Sequence, residues 1–255
     1  MSLFSLKNKS ILITGSSKGI GKSIAHQSAL MGANVIISSR KIDACEDAAK
    51  EINDDVGKEV AFPIACNIAD DDQLKNLVDK TMQTLGGIDS LICNAATNTF
   101  MGSMLDMDIE QFDKVMHNNI RSNQLLCNLC LPHMIEKKDG TIIIISSIAA
   151  IKGSAFLGAY NISKAADVMI VKNIAAEFGH KNIRANSIAP GLIKTDFAKG
   201  LWENPDILNT VLQSNPMKRI GEADEIAGTA IMLSSNAGSY INGQTIVIDG
   251  GTTIV

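Results

Sequence analysis

Ser10-Ile11-Leu12-Ile13-Thr14-Gly15-Ser16-Ser17-Lys18-Gly19-Ile20-Gly21 is the stretch whose reading decides the fold. Its first five residues form a short apolar run with β-branched side chains, the signature of a buried strand, and from Ile20 to Met31 the apolar positions recur with helical spacing. Glycines at 15, 19 and 21 stand between strand and helix. The spacing is not the dinucleotide fingerprint GxGxxG, but the mechanics are shared. Glycine permits a tight turn and a close approach to the backbone, and the helix N-terminus offers unpaired N–H groups to a pyrophosphate.

Outward from this unit the rhythm repeats. Asn34 to Ser39 reads as a second strand, Ala44 to Asp54 as a helix, Glu59 to Cys66 as a third strand, Asp70 to Leu85 as a helix and Ser90 to Cys93 as a fourth strand. Later strands fall at Thr141 to Ser146, Ile183 to Ser187 and Thr245 to Ile248, with no linker, repeat or low-complexity segment between elements. Strands built of nearly continuous Ile, Val and Leu are covered by helices on both faces, which selects a parallel sheet. The sequence therefore predicts a single-domain, doubly wound α/β (Rossmann) fold over residues 1–255, with a seven-stranded parallel sheet and ligand bound beyond the carboxyl ends of the strands. At 255 residues, one core of this class is the expected size.

Composition excludes several functions. Basic residues number 23 and acidic residues 27, interspersed along the chain, so there is no electrostatic footprint of a nucleic-acid or anionic-membrane partner. The longest apolar run, Thr141 to Ile145, falls far short of the roughly 20 residues that span a bilayer. Neither terminus carries a secretory or peroxisomal signal, and the five cysteines are irregularly spaced, so a cytoplasmic protein with reduced thiols is expected. Cys127 and Cys130 form a CxxC without a second ligand pair, which reads as core packing, and no metal site is expected. Asp70-Asp71-Asp72 reads as the acidic start of a helix.

The end of the second strand selects the ligand. A chain that binds NAD usually carries a carboxylate there to hold the ribose hydroxyls. Here the residues are Ser38-Ser39-Arg40-Lys41, with no acid before Asp43. Arg40 is suited to a 2′-phosphate and Lys18 on the glycine turn adds a second positive charge, so NADP(H) is favoured.

At the other end of the cleft, Ser147 follows the fifth strand, and Tyr160 and Lys164 lie i, i+4 on a helical segment, one turn apart on one face. An unperturbed phenol has a pKa near ~10, so proton transfer at pH 7 requires about 4 kcal/mol of preference for phenolate. An ammonium roughly 5 Å away supplies on the order of 3 kcal/mol at an effective dielectric of about 20. Ser147 is placed to hydrogen-bond the substrate oxygen.

On these residues the chain resembles the short-chain dehydrogenase/reductase family along essentially its whole length. Thr14 to Gly21 is similar to that family's TGxxxGxG, Asn94-Ala95-Ala96 to its NAG-like segment, and Ser147, Tyr160 and Lys164 to its catalytic set. Asn119 falls at its catalytic asparagine, with Asn118 the competing assignment. The resemblance implies that Gly15, Ser17, Lys18, Gly19 and Ile20 cradle the cofactor phosphates, with Ser39 and Arg40 beyond them. It places the adenine by Asn67 and Ile68, although Asn67 stands where Asp is common. Asn94 and Ala95 would follow, with Ala96 in place of the usual Gly, and Tyr160 and Lys164 would also touch cofactor. Pro190, Gly191, Ile193 and Thr195 would border the nicotinamide.

The implied chemistry is transfer of the pro-4S hydride of NADPH to a carbonyl carbon. Tyr160 would protonate the oxygen, Ser147 polarise it, Lys164 hold the ribose and depress the phenol pKa, and Asn119 support a water. Within the family the motifs look most like NADP(H)-dependent carbonyl and retinol reductases of the peroxisomal type and their bacterial relatives. The implied substrate is a small carbonyl or alcohol and the implied assembly a homotetramer. Residues 196–216, where the rhythm lapses around Trp202, would form an apolar substrate lid. A 3-oxoacyl-carrier-protein reductase is the first alternative, with Arg121 or Lys218-Arg219 attracting an acidic carrier. A non-catalytic nucleotide-sensing protein is the second.

Overall fold

The computed structural model describes residues 2–255. Seven strands form one parallel sheet in the order β3-β2-β1-β4-β5-β6-β7. They are β1 (Ser10–Thr14), β2 (Asn34–Ser38), β3 (Ala61–Pro63), β4 (Ser90–Cys93), β5 (Gly140–Ile145), β6 (Ile183–Pro190) and β7 (Thr245–Ile248). The α-helices are α1 (Gly19–Leu30), α2 (Ile42–Val56), α3 (Asp71–Leu85), α4 (Ile109–Met116), α5 (Ser122–Lys137), α6 (Gly158–Phe178), α7 (Lys199–Trp202), α8 (Pro205–Ser214) and α9 (Ala223–Ser234).

Successive side chains of a strand point to opposite faces, and each face of this sheet has its own apolar layer. Ile11 and Ile13 of β1 pack with Ile24 of α1, Ile52 of α2 and Ile226 of α9. Leu12 faces the other way, into a layer that holds Leu77 of α3, Leu126 of α5 and Val171 of α6. The near-continuous apolar strands are thus buried on both sides, as the composition of the runs requires.

Winding reverses at β1: β2 and β3 lie on one side of it and β4 on the other. That reversal opens a crevice at the carboxyl ends of β1 and β4, where a doubly wound sheet binds its ligand.

Two strand ends differ from expectation. β3 covers only Ala61–Pro63, an edge strand paired to β2 alone, although Ile64 N and Cys66 N still donate to Ile37 O and Ser39 O beyond its end. β6 runs three residues beyond Ser187 because Ile188, Ala189 and Pro190 stay in register with Ile246, Val247 and Ile248. α3 begins as its acids predict: Asp70 caps the N–H of Gln73 at 3.0 Å, and Gly86, in the left-handed region at φ 74°, ends the helix. Among the described residues no helix is long and apolar enough to cross a membrane.

Candidate active site

The turn after β1 is shaped by close approaches. Gly15 has φ 65°, and a Cβ there would lie 2.9 Å from the main chain of Ala95. A Cβ on Gly21 would lie 2.5 Å from both Asn94 Nδ2 and Gly15 O, so only glycine lets the first turn of α1 press this near the loop. Asn94 donates from Nδ2 to the carbonyls of Thr14 and Gly15, each at 3.0 Å. Thr14 Oγ1 accepts from the N–H groups of Asn94 and Ala95 in return. Asn94 thus ties the β4 loop to the glycine turn. Buried Ser16 fixes the other side, donating to Ile13 O at 2.7 Å and accepting from Ser38 N at 2.8 Å.

α1 has no acid in its first turn and no side-chain cap, so its leading N–H groups face the crevice without an anionic partner. This is the environment a phosphate fits. At the end of β2, Arg40 is exposed and forms no ion pair among the described residues. Ser39 is held by its N–H to Cys45 Sγ at 3.1 Å. Asn67 follows β3, its Oδ1 accepting from Ala69 N at 3.2 Å, with Ile68 packed on the adjoining apolar layer. Lys18 reaches across the mouth to Asp196, Nζ to Oδ2 2.9 Å. Its ammonium is therefore shared with the segment after β6 rather than free as the sequence suggests.

The other wall comes from β6. Gly191 N donates to Ile248 O at 2.8 Å, and Ile193 pairs with Gly221 as an isolated parallel bridge. Thr195 lies against Gly19, and its carbonyl accepts from Trp202 Nε1 at 2.9 Å. Residues 196–216 are largely helical, through α7 and α8, and not a loop. α8 buries no side chain fully; Asn204 Oδ1 caps the N–H groups of Asp206 and Ile207.

α6 carries the residues expected to do chemistry. Tyr160 and Lys164 share one face, with Lys164 Nζ 5.7 Å from the centre of the Tyr160 ring. Lys164 is 2 % exposed, and its Nζ donates to Ile145 O at 2.8 Å and to Asp167 Oδ2 at 3.0 Å. One of its three N–H directions is left for a ligand. Ser146 Oγ donates to Lys164 O at 2.8 Å, fastening α6 to the end of β5. Ser147 accepts from Ala149 N at 3.1 Å, and its hydroxyl beside the phenol favours the ionised form of Tyr160.

Asn119 lies in a π-helical turn, His117–Arg121, between α4 and α5. It is fully buried, donating to Thr97 O and Ser163 Oγ and accepting from Thr97 N. Asn118 makes only a 3.3 Å contact to Thr97 Oγ1, so the more tightly held asparagine is Asn119. Its amide braces α6 one turn from Tyr160, since Ser163 Oγ in turn donates to Tyr160 O.

Burial is the largest influence on the phenol of Tyr160 and pushes it up; Lys164 pulls it down, as the i, i+4 spacing predicts, but Asp167 adds to burial, so the phenol lies above its ordinary pKa. Burial alone would lower Lys164, but Asp167 and Tyr160 outweigh it and raise the ammonium's pKa. Asp167 and its partner Asn123 were not singled out from the sequence. The signal was there, as Tyr160, Lys164 and Asp167 at i, i+4 and i+7 place a carboxylate on the same helix face as the other two.

Of the basic residues offered to an acidic carrier, Arg121 pairs through both terminal nitrogens with Asp71, Arg219 pairs with Glu225, and Lys218 Nζ donates to Gln213 O, all at the exposed surface. All five cysteines are buried and free, and burial pushes the Cys66 thiol up to about 12. Among the described residues no group of His, Cys, Asp or Glu is arranged to hold a metal ion.

Comparison with known proteins extends this picture. The family model described as "Enoyl-(Acyl carrier protein) reductase" matches residues 15–253. "Dehydrogenase/reductase SDR family member 4" of Bos taurus is 38% identical over 247 residues, 97% of this chain and 88% of that protein. A solved short-chain type dehydrogenase/reductase from Mycobacterium marinum superposes with TM-score 0.93 at 36% identity, covering 99% of this chain and 98% of the other. A 7α-hydroxysteroid dehydrogenase in complex with NADH and 7-oxo glycochenodeoxycholic acid has the same TM-score, 0.93, and identity, 36%, over 98% of this chain and 96% of its own.

Proposed function

The chain belongs to the short-chain dehydrogenase/reductase family of oxidoreductases, and from that premise we propose that it is an NADPH-dependent reductase of a ketone or aldehyde, reversible as an alcohol dehydrogenase. The observation that carries this reading is the placing of the buried Lys164 ammonium 5.7 Å from the Tyr160 ring on one face of α6. Bound NADPH supplies the hydride to the carbonyl carbon. Gly15, Ser17, Gly19 and Ile20 would hold its phosphates at the start of α1, and Arg40 the 2′-phosphate.

Tyr160 donates its phenolic proton to the substrate oxygen, and Ser147 donates a hydrogen bond to the same atom. Lys164 turns its remaining N–H toward the ribose and favours the phenolate left after proton transfer. Asn119 acts by holding α6, and hence Tyr160, in place. A phenol raised above its ordinary pKa is protonated at neutral pH, which suits donation to a carbonyl; the reverse oxidation requires phenolate and gains from alkaline conditions.

The mouth beside Tyr160 is apolar. The Phe197 ring lies 6.1 Å from that of Tyr160, Met104 packs at Gly158, and Phe156 O accepts from Gly102 N where the two loops meet. Phe156 and Phe197 are largely exposed there, which favours a bulky apolar substrate under the 196–216 segment. Exposed apolar residues around β7, Val247, Ile254 and Val255, agree with a homotetramer, and five unpaired thiols with the cytoplasm.

Incubation of the purified protein with NADPH and a carbonyl panel that includes an acetoacetyl thioester, followed by absorbance of the reduced cofactor, tests the reading. Turnover of apolar ketones or aldehydes supports it. Turnover of the thioester alone shifts the assignment to a 3-oxoacyl reductase, and cofactor binding without turnover of any member overturns it.

A further inference from the structure

Asp167 is the one charged partner of Lys164, and the role of this carboxylate is not accounted for by hydride transfer itself. It sits on α6 one turn beyond Lys164, with 0 % of its surface exposed. Its Oδ2 takes a hydrogen bond from Lys164 Nζ at 3.0 Å and its Oδ1 one from Asn123 Nδ2 of α5 at 3.0 Å. Asn123 follows Asn119 by one turn, as Asp167 follows Ser163, so two parallel links, Asn119 to Ser163 and Asn123 to Asp167, join the π-helical turn and the start of α5 to the reactive helix. Neither charge of the pair reaches water, so counter-ions do not screen its field at the neighbouring phenol.

We infer that Asp167 is a positioning residue: through its buried ion pair it orients Lys164 and restrains the ammonium's pull on the Tyr160 proton, which biases the site toward carbonyl reduction. The inference rests on the reading of Tyr160 as proton donor.

Tyr160 of α6 and Cys93 of β4 are the other titratable groups that act on Lys164, and Cys127 and Cys130 of α5 lie against Cys93 in turn. A hydrogen bond to Cys127 and burial raise the Cys93 thiol well above its ordinary range, so it stays neutral at working pH. Burial raises the Asp167 carboxyl above its ordinary value, while the Lys164 charge and the hydrogen bonds from Lys164 and Asn123 pull it back down; as carboxylate it opposes Lys164 at the phenol, raising Tyr160 where Lys164 lowers it.

The chain has two tyrosines, and the other, Tyr240, is fully exposed, so near-ultraviolet tyrosinate absorbance resolves Tyr160 once a Tyr160→Phe variant identifies its share. Asp167→Asn keeps an acceptor for Lys164 Nζ and removes the charge. The Tyr160 midpoint should move to lower pH by about one unit, a tenfold rise in phenolate fraction at fixed pH. The alkaline limb of NADPH-dependent reduction should move with it.

A midpoint that stays fixed, or moves to higher pH, overturns the inference. Should Asp167→Asn not fold, Asp167→Ser, which keeps a hydroxyl acceptor and leaves room for a water beside Lys164 Nζ, predicts the same acid shift and is refuted by the same results. The titration needs no substrate. A shifted midpoint in a protein without turnover rejects the reductase reading alone, and turnover with an unmoved midpoint rejects only the role of Asp167.

Discussion

Replacing Arg40 by Asp should remove most of the preference for NADPH over NADH. Arg40 is exposed at the end of β2 and forms no ion pair among the described residues, so its guanidinium is available to a 2′-phosphate. Lys18, the other cation of this rim, is already paired with Asp196 at 2.9 Å, both side chains being about two-thirds exposed. An exposed pair of that kind is worth roughly 0–1 kcal/mol, so Lys18 can be drawn to the phosphate only at the cost of a weak tie. Arg40 therefore carries the larger share. One charge-assisted hydrogen bond contributes on the order of 1.5–3 kcal/mol, and each 1.36 kcal/mol is tenfold in rate. The ratio of kcat/KM for NADPH to that for NADH should fall roughly 10- to 150-fold, with NADH gaining from the new carboxylate near its ribose hydroxyls. Steady-state kinetics with both cofactors at fixed carbonyl substrate measures it, with Lys18→Ala as the comparison expected to shift the ratio less. An unchanged ratio in Arg40→Asp would mean that the phosphate is read elsewhere.

Two further predictions concern stability. Gly21→Ala puts a Cβ 2.5 Å from Asn94 Nδ2 and Gly15 O, so it should destabilise by about 1–3 kcal/mol and weaken cofactor binding together, read as a lower urea midpoint and a higher Kd for NADPH; an unaltered midpoint would show that the loop gives way freely. Asp89 is buried, which by itself raises its carboxyl pKa, but Lys137, the Ser10 N–H and Lys9 outweigh burial and hold it below the usual range. Its contribution is thus fully present above the unfolded value of about 4 and is lost as pH falls through the lower folded value. Asp89→Asn should flatten the dependence of the urea midpoint on pH below about 4, and an equally steep loss in the variant would assign the acid limb to other carboxylates.

The sequence made the sheet legible because its strands are almost uniformly Ile, Val and Leu, and a run buried on both faces has few other readings. Ile11, Leu12 and Ile13 did not need the structure to be placed in the core. Strand ends were less legible, since they depend on partners distant in sequence: β6 reaches Pro190 because Ile248 is beside it, and β3 keeps regular pairing with β2 only from Ala61 to Pro63. The Tyr160–Lys164 spacing announced their shared helix face, but the direction of the phenol's shift did not follow from it. That direction depends on burial and on Asp167, neither visible in a two-residue motif. Likewise the glycine turn was legible as a turn, whereas the tie from Asn94 that makes Gly21 obligatory spans 79 residues between Gly15 and Asn94 and shows only in the fold.

The central claim is that Tyr160 delivers the proton and Lys164 makes delivery feasible, and single-turnover NADPH oxidation by Tyr160→Phe in the presence of a carbonyl substrate tests it most directly. The expected result is loss of hydride transfer with NADPH still bound, seen as an unchanged Kd for NADPH in equilibrium titration. Hydride transfer at the wild-type rate in this variant would contradict the account.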